Sequence, residues 1–370
     1  MTLEEIKKAL KTKEYEFLVK DKHLGNNIIL LSLGGSHAYG TNVPTSDLDI
    51  RGIAIEQPNE IVGLSTFEQV LEKNTDTTIF AFRKICKLLM SANPNIIEIL
   101  GLKDEHYLYV SELGQKILDN IDLFLSKEVF HTFRGYAKSN LDRLENALCR
   151  DELPEDMKVR HIKRSIDSAI EDHNSKHTPK IKLSHIKINR DNELVVNLKM
   201  KKWPVSELRN WYNSVITTLN NYNSVLNRNR KKDELHLNKH AMHLIRLYLM
   251  CIDILEGKGV KTYRDNDIEL LMKIRDGEYM KDGILSKDFY DMMAKLEEKC
   301  QKAFKNSKLP DKVDYNKLEK FITEVSIDIV NGKYKSDFVN WYNNVLGQEE
   351  VGNSKEIANK CDKCSSIGRL

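Results

Sequence analysis

Residues 29–52 read ILLSLGGSHAYGTNVPTSDLDIRG, and this stretch decides the fold that we predict for the chain. An apolar, β-prone run at 28–31 leads into a Gly-Gly-Ser turn at 34–36, and a second β-prone run follows at 48–55. Runs of this kind, bounded by glycine and turn residues, are typical of strands. We therefore expect two strands joined through a glycine-rich turn.

Two acids, Asp47 and Asp49, accompany the second run. Side chains on a strand alternate between its faces, so residues two apart point the same way. Two neighbouring carboxylates repel each other unless positive charge lies between them, and a divalent metal commonly supplies that charge. Because Mg²⁺ is normally held by carboxylates together with substrate phosphates, Asp47 and Asp49 predict a site for two Mg²⁺ ions, with Mn²⁺ as an alternative.

The glycines before these acids indicate a phosphate site. Gly34 and Gly35 allow a sharp turn and let a phosphate approach main-chain N–H groups without a Cβ in the way. If Ser36 opens a short helix, its hydroxyl and the N–H groups of the first turn add to an anion site. One element would then hold a triphosphate while the next strand holds its metals. The alternative is a glycine-rich hairpin with two surface acids.

Gly35-Ser36 followed by Asp47-x-Asp49 resembles the GS…DxD signature of the DNA polymerase β-like nucleotidyltransferase superfamily. The fuller string, GGSHAYGTNVPTSDLDIRG, resembles the YcgL-type predicted nucleotidyltransferases of bacteria and their phages. The resemblance implies an α+β fold, in which a small mixed-sheet catalytic domain precedes a mainly α-helical domain. It also implies transfer of a nucleoside monophosphate from a nucleoside triphosphate to a hydroxyl acceptor, with release of pyrophosphate.

The superfamily usually carries a third acid on a strand next to the DxD strand, and the resemblance assigns this role to Asp76. There it would complete a metal site and accept the proton of the attacking hydroxyl. The alternative is that Asp76 caps a helix predicted at 77–91. Glu72, at the end of a predicted third strand, and Glu98 are the other candidates for the third carboxylate.

Length and composition limit the class of protein. A chain of 370 residues exceeds the usual size of one core, so two domains are expected. Its 58 basic and 55 acidic side chains leave a net charge of +3, so nucleic-acid binding would need a local basic patch. No apolar run approaches the roughly 20 residues that cross a bilayer, and the N-terminus is charged. We expect a cytoplasmic protein without a membrane partner.

Six scattered cysteines indicate reduced thiols rather than a disulfide framework. Cys361 and Cys364 have the spacing of half a zinc site or of a redox pair, but no second pair accompanies them. Metal binding there is kept as a minor alternative.

From about residue 111 the pattern changes to long amphipathic segments, with a plausible hairpin at 181–199. We predict a catalytic domain at 1–110, a helical acceptor- or nucleotide-binding domain at 111–345 and a poorly ordered tail at 346–370. The predicted helices are 111–124, 128–150, 155–173, 205–229, 235–256, 266–276, 286–307 and 314–330.

One predicted helix carries candidate ligands for the nucleotide. Lys239, His243 and Arg246 lie at offsets of four and three, which places them on one helical face, and His240 lies beside them. The YcgL-type proteins carry a similar helix, and the alternative is a solvated face. Arg51 follows Asp49 by two residues and would neutralise phosphate or pair with the acids. The predicted nucleotide-binding set is Gly34, Gly35, Ser36, Tyr39, Arg51, Lys239, His240, His243 and Arg246.

The acceptor stays open: an RNA or tRNA 3′ end, a protein hydroxyl and a small molecule all fit the reaction. The basic run at 228–232 is a candidate nucleic-acid contact, or simply an exposed loop. A competing hypothesis is a catalytically idle nucleotide-binding or partner-binding module of a toxin–antitoxin or phage-defence system. Intact Gly35, Ser36, Asp47 and Asp49 argue against it, because an idle module need not keep both metal ligands.

Overall fold

The structure of the chain is a computed structural model. It describes residues 2–148, 167, 170–171, 182–188, 194–199, 205–206, 208–209, 212–213, 234–281, 284–334 and 336–347. The tail from 348, with Cys361 and Cys364, lies outside the described residues, as does the basic run at 228–232. Most of the predicted helices at 155–173 and 205–229 lies outside them too.

The chain forms two compact units, and each is assembled from separate parts of the sequence. The first takes its residues from 1–136, 245–272 and 293–370, and the second from 137–244 and 273–292. The division of the sequence near residue 110 stays a prediction. All the contacts of the candidate site given below lie within the first unit.

A five-stranded mixed sheet forms the centre of the first unit. Its spatial order is β3-β4-β2-β1-β5, in which β2 and β4 run parallel and the other neighbouring strands run antiparallel. This sheet, together with the helices that follow it, confirms the predicted α+β architecture. The strands are β1 (Ile28–Leu33), β2 (Ile50–Ala54), β3 (Gln69–Glu72), β4 (Thr77–Ala81) and β5 (Tyr107–Val110).

Helices flank the strands along the sequence and make up most of the described chain after β5. They are α1 (Leu3–Leu10), α2 (Phe17–Lys20), α3 (Gly35–Tyr39), α4 (Pro58–Ile61), α5 (Phe82–Met90), α6 (Pro94–Ile97), α7 (Glu112–Leu118), α8 (Glu128–Leu148), α9 (Glu234–Leu255), α10 (Ile268–Arg275), α11 (Lys287–Asn306), α12 (Tyr315–Val330) and α13 (Phe338–Gly347). The predicted hairpin is present as β6 (Lys182–Ile188) and β7 (Leu194–Lys199), and a second short pair is β8 (Met280–Lys281) and β9 (Ile284–Leu285). No helix of the described residues is long and apolar enough to cross a membrane.

Strand β1 is buried along its whole length because it has partners on both edges and is covered on both faces. Its neighbours are β2 and β5, and all six of its residues are buried. A near-continuous run of leucine and isoleucine is what such a strand requires. Each fully buried side chain of this kind contributes about 1.5–3 kcal/mol. Ser32 is the polar exception, and its hydroxyl donates to the Arg51 carbonyl at 3.2 Å.

The end of the described chain completes the core of this sheet. Phe338 and Tyr342 of α13 belong to the same buried apolar cluster as Leu31 and Ile50. The Tyr342 hydroxyl donates to the carbonyl of Leu10 at 2.6 Å. The folded sheet therefore depends on a helix more than 200 residues beyond its last strand.

Two predictions near the acids are wrong in detail. The segment after Asp76 is a strand, Thr77–Ala81, and the helix begins only at Phe82, with Ala81 at its N-cap. The run Thr-Thr-Ile-Phe-Ala is fully buried and β-prone, so pairing with β2 overrides its helical spacing. Asp76 therefore does not cap a helix.

Candidate active site

Two of the three glycines between β1 and β2, Gly35 and Gly40, have left-handed backbone conformations that other residues rarely adopt. Gly34 is extended, and its N–H donates to the carbonyl of Asp49 at 2.8 Å. Gly35 has φ +54° and begins α3, one residue before the predicted start at Ser36. Gly40, at φ +75°, ends the same helix as its left-handed cap. The sharp turn at 34–36 is therefore present as predicted.

The carboxylate of Asp49 lies directly against this turn. A Cβ atom added to Gly35 would stand 1.7 Å from Asp49 Oδ2 and 2.5 Å from its Cγ. A Cβ added to Gly34 would stand 2.9 Å from Arg51 Cγ. Only glycine allows this approach, so the turn and the acid form one structure.

Arg51 lies between two of the predicted acids. Its Nη2 is 3.8 Å from Asp49 Oδ1 and 3.4 Å from Asp76 Oδ1, and its Nη1 donates to the Asp76 carbonyl. The register of β2 and β4 explains the arrangement, because Ile50 lies opposite Thr77 and the two acids immediately precede these residues. Parallel pairing thus brings Asp49 and Asp76 to one edge of the sheet, as the predicted third carboxylate requires.

Asp47 is placed differently from the expectation. Residues 46–49 lie outside the strand, which begins at Ile50, so alternation along a strand does not orient Asp47 and Asp49. The spacer instead closes a turn, in which the Val43 N–H donates to Ser46 Oγ at 2.9 Å and the Ser46 N–H donates to the Val43 carbonyl at 2.8 Å. Asp47 follows this turn directly and is exposed.

The acids fit a metal that is shared with a substrate, rather than one enclosed by protein. Among the residues that the structure describes, no three His, Cys, Asp or Glu side chains form a group that could hold a metal ion. Asp47 is exposed and Asp49 is 18% exposed, so both can meet a ligand from solvent. Two carboxylates, completed by phosphate oxygens and water, are a donor set that suits Mg²⁺.

A buried cluster lies behind the Gly-Ser helix. Arg246 Nη1 donates to Glu98 Oε1 at 2.6 Å, and the Tyr39 hydroxyl donates to Glu98 Oε2 at 2.7 Å. The Arg246 guanidinium also lies 3.6 Å from the centre of the Tyr39 ring. Arg246 is only 3% exposed, so its charge is held by Glu98 in the interior. Both carboxylate oxygens of Glu98, which was a candidate for the third carboxylate, accept hydrogen bonds within this cluster.

Burial and the negative charge of Asp49 raise the pKa values of two neighbouring tyrosines, Tyr15 and Tyr39. Burial raises the pKa of Tyr39 well above its ordinary value, so its hydroxyl keeps the proton that it donates to Glu98. Burial, followed by the charges of Glu14 and Asp49, raises the pKa of Tyr15 to about 12. Asp49 is thus a source of negative potential for both rings around the turn.

A cavity of about 310 Å³ opens beside the turn. Its size is at the lower end of the range for small-molecule sites, and its mixed wall suits a flat ring with polar edges. The polar part of the wall comes from Gly34, Gly35, Tyr39, Arg51, Asn95 and Glu98. The apolar part comes from Leu33, Ala38, Phe80, Ile85, Ile96, Ile99 and Leu102.

The other predicted nucleotide ligands belong to the second unit. Lys239 is exposed, and His240 and His243 are partly buried on α9. Their role in nucleotide binding stays a prediction. The Glu98 cluster was not foreseen, although the sequence held a signal for it. An acid inside the apolar run Ile-Ile-Glu-Ile-Leu predicts a buried carboxylate that needs a cationic partner.

The mixed sheet that carries the glycine turn and Asp49, together with the helical region that follows, defines an α+β fold. A protein-family model described as the RNA repair pathway DNA polymerase beta family (RlaP) matches residues 2–176. This similarity, over slightly less than half of the chain, supports a polymerase β-like family and a nucleotidyltransferase type of function. The narrower YcgL-type resemblance stays a prediction. Comparisons with curated proteins and with solved structures gave no match.

Proposed function

We propose that this protein is a metal-dependent nucleotidyltransferase that moves a nucleoside monophosphate from a nucleoside triphosphate to a hydroxyl acceptor and releases pyrophosphate. One observation carries the proposal. The Asp49 carboxylate touches Gly35, so a phosphate on the glycine turn lies within reach of a metal-binding acid. Phosphoryl transfer depends mainly on positioning and on charge stabilisation, and this contact serves both.

The residues of the turn and the strand edge have separate roles in the proposal. The main-chain N–H groups of the Gly34–Gly35–Ser36 turn bind phosphate oxygens, and Arg51 neutralises their charge. Asp47 and Asp49 hold Mg²⁺ or Mn²⁺, with Asp76 as the third carboxylate. The bound metal would lower the pKa of the attacking hydroxyl and stabilise the charge on the pyrophosphate. Asp76 takes the proton of that hydroxyl.

The 3′ end of an RNA is the acceptor that we propose. Support comes from the matching family, whose description names an RNA repair pathway. The neighbouring cavity of about 310 Å³ offers a place for the nucleobase of the triphosphate. Its apolar wall can cover the faces of a ring, and Asn95 can hydrogen-bond its edge.

The test is transfer of label from each α-labelled nucleoside triphosphate to single-stranded RNA in the presence of Mg²⁺ or Mn²⁺. Asp47→Asn and Asp49→Asn keep the shape of the side chain but lose a metal ligand. We expect each to lower the rate by about 10³-fold, which corresponds to about 4 kcal/mol of transition-state stabilisation. Asp122→Asn, an exposed acid at another position, is the matched control and should retain the wild-type rate.

If the label appeared on protein or on a small molecule, the proposed type of reaction would stand, but the proposed RNA acceptor would be wrong. The proposed nucleotidyltransferase activity would be refuted if no acceptor were labelled with any of the four triphosphates and the Asp49→Asn variant did not differ from wild type. Triphosphate binding without transfer would then favour the idle nucleotide-binding module.

A further inference from the structure

A second and larger cavity in the first unit, of about 1190 Å³, forms an open groove with a basic wall. It lies among residues 101–103, 249–267 and 296–309. Seven basic side chains and four acidic ones line it, an excess equal to the net charge of +3 of the whole chain. The basic residues are Lys103, Lys258, Lys261, Arg264, Lys299, Lys302 and Lys308, and the acidic ones are Asp253, Glu256, Asp265 and Asp267.

The four acids of the groove all form ion pairs with three of its cations. Arg264 pairs with Asp253 at 2.7 Å and with Asp267 at 2.6 Å. Lys103 pairs with Asp265 at 3.1 Å, and Lys258 pairs with Glu256 at 2.6 Å. These local ion pairs stabilise the wall of the groove, and the remaining lysines of the groove are able to contact a ligand.

Four lysines of the groove make no ion pair within the described residues: Lys261, Lys299, Lys302 and Lys308. All four are exposed. Lys299 and Lys302 are three residues apart on α11, so they project from one face of the helix beside Asn306. This face presents adjacent positive charges and an amide to the open groove.

The groove adjoins the candidate active site. Leu102 borders both the groove and the smaller cavity beside the glycine turn. The Thr262 N–H donates to the Gly101 carbonyl at 2.9 Å, and its hydroxyl donates to the Glu98 carbonyl at 2.7 Å. The basic loop of the groove is thus fixed to the segment that carries Glu98.

The same loop also touches the Gly-Ser helix. The Tyr263 ring packs on Gly40, where an added Cβ would stand 2.5 Å from the ring. Because Gly40 ends α3, the wall of the groove and the proposed phosphate turn are joined through one short helix.

We propose that this groove binds the acceptor, a single strand of RNA, by its phosphates and leads its 3′ end toward the glycine turn. The inference rests on the proposed function and adds the surface that holds the acceptor. Unpaired lysines bind a phosphate backbone without regard to sequence, and their contribution falls as salt rises. A protein partner fits less well, because lysine is depleted from protein–protein interfaces.

The test compares two variants that lose the same charge. The groove variant carries Lys261→Gln, Lys299→Gln, Lys302→Gln and Lys308→Gln. The control variant carries Lys295→Gln, Lys305→Gln, Lys312→Gln and Lys320→Gln, which are exposed lysines that do not line the groove. Binding of a short, unstructured, fluorescein-labelled RNA is measured by anisotropy with the full chain, without triphosphate, between about 50 and 200 mM salt.

Each contact of a lysine with a single-strand phosphate adds about 0.7 to the slope of log affinity against log salt. The groove variant should therefore lose about 3 from that slope and bind RNA at least about tenfold more weakly, while the control variant binds within about twofold of wild type. The Asp47→Asn/Asp49→Asn double variant should bind RNA like wild type although it transfers no label. Binding and reaction can thus fail separately.

Equal RNA affinity of the groove variant and the control variant would overturn the proposal, even if label transfer succeeds. Equal weakening in both variants would overturn it as well, because the effect would then be one of net charge. Equally tight binding of single-stranded DNA of the same sequence, with equal labelling of its end, would overturn the assignment to RNA.

Discussion

The carboxylate of Asp49 occupies the space in which a side chain at Gly35 would begin. A Cβ at residue 35 would stand 1.7 Å from Asp49 Oδ2, and the backbone there has φ +54°. Gly35 of the turn and Asp49, which directly precedes β2, are therefore a matched pair, and changing one displaces the other.

The first prediction concerns Gly35→Ala. The new methyl group must push Asp49 away from the turn, and a displacement of about 1 Å in a reacting group can cost about 100-fold in rate. The left-handed backbone adds about 1–2 kcal/mol of strain. We expect label transfer to fall by about 100-fold or more, as measured with saturating triphosphate.

Variants of two other glycines separate the effect of displacing Asp49 from the effect of backbone strain. Gly332 has φ +68° with open space around its Cα, so Gly332→Ala should destabilise the fold by about 1–2 kcal/mol with an unchanged rate. Gly135, inside α8, has open space and an ordinary φ, so Gly135→Ala should stabilise the chain by about 0.5–1 kcal/mol. A normal rate in Gly35→Ala would contradict the role given to its contact with Asp49.

The second prediction concerns Arg51, which lies 3.8 Å from Asp49 and 3.4 Å from Asp76. Arg51→Gln removes a cation that competes with metal for these acids and that would meet phosphate. We expect a lower apparent dissociation constant for Mn²⁺ and a higher one for the triphosphate, both measured by calorimetry.

If Arg51 served only as a local ion pair, Arg51→Gln would change the stability and leave triphosphate affinity at the wild-type value. Arg83 of α5 provides the control, because it forms a similar pair at 3.0 Å with Glu56, which follows β2. Arg83→Gln should leave both dissociation constants unchanged.

The third prediction concerns the buried pair of Arg246 and Glu98. Removing one partner leaves a charge in the interior without its counter-ion, which typically costs about 3–5 kcal/mol. Arg246→Met and Glu98→Gln should each lower the free energy of unfolding, with Arg246→Met near the upper value. Denaturant unfolding followed by circular dichroism measures the change.

Combining Arg246→Met with Glu98→Gln removes both charges, so the double variant should be more stable than Arg246→Met alone. Strict addition of the two single losses would show that the residues act independently, against the 2.6 Å contact between them. The Tyr39 hydroxyl donates to Glu98, and its ring packs against the Arg246 guanidinium. Because Tyr39 lines the cavity proposed for the nucleobase, both variants should also weaken triphosphate binding.

The fourth prediction concerns pH and two buried histidines. Burial lowers the pKa of His37 and of His106, and within the described residues His37 Nε2 and His106 Nδ1 lack hydrogen-bond partners. Below about pH 6.5 the unfolded chain binds protons at these positions that the folded chain does not. The free energy of unfolding should therefore fall as the pH is lowered from about 7.5 to 5.5.

Replacing both histidines with glutamine should flatten this slope when urea unfolding is followed over the same pH range. His131→Gln, which changes an exposed histidine, should keep the wild-type slope. Stability that rises toward acid pH in the wild type would contradict the sign derived from burial.

The fold could be predicted in class and order, but less well at element boundaries. Runs of β-branched and aliphatic residues around the Gly-Gly-Ser turn were sufficient to predict β1 and β2. They were insufficient for residues 77–81, where helical spacing and strand propensity conflict. The pairing of that segment with β2 resolves the conflict, and pairing is a property of the sheet rather than of the segment.

For the candidate site too, the sequence predicted the contacts between residues close in the chain but not those between distant residues. Asp49, Gly35 and Ser36 are close in sequence, so their spacing predicted a common site. Arg246 was predicted to contact nucleotide because it shares a helical spacing with Lys239 and His243. Helical spacing gives the face of a residue but not its environment, and the structure places Arg246 against Glu98, 148 residues earlier in the chain.

The sequence by itself determined the glycine turn and the two acids on which the proposed chemistry of residues 34–52 rests, because these residues lie at short spacing in the chain. Only the tertiary structure decided which distant residues join them. Parallel pairing of β2 and β4 brought Asp76 beside Asp49, and packing of the chain around residues 98–101 and 262–263 placed a lysine groove next to the turn. Such contacts depend on the whole core, whose free energy is distributed over residues far apart in the chain.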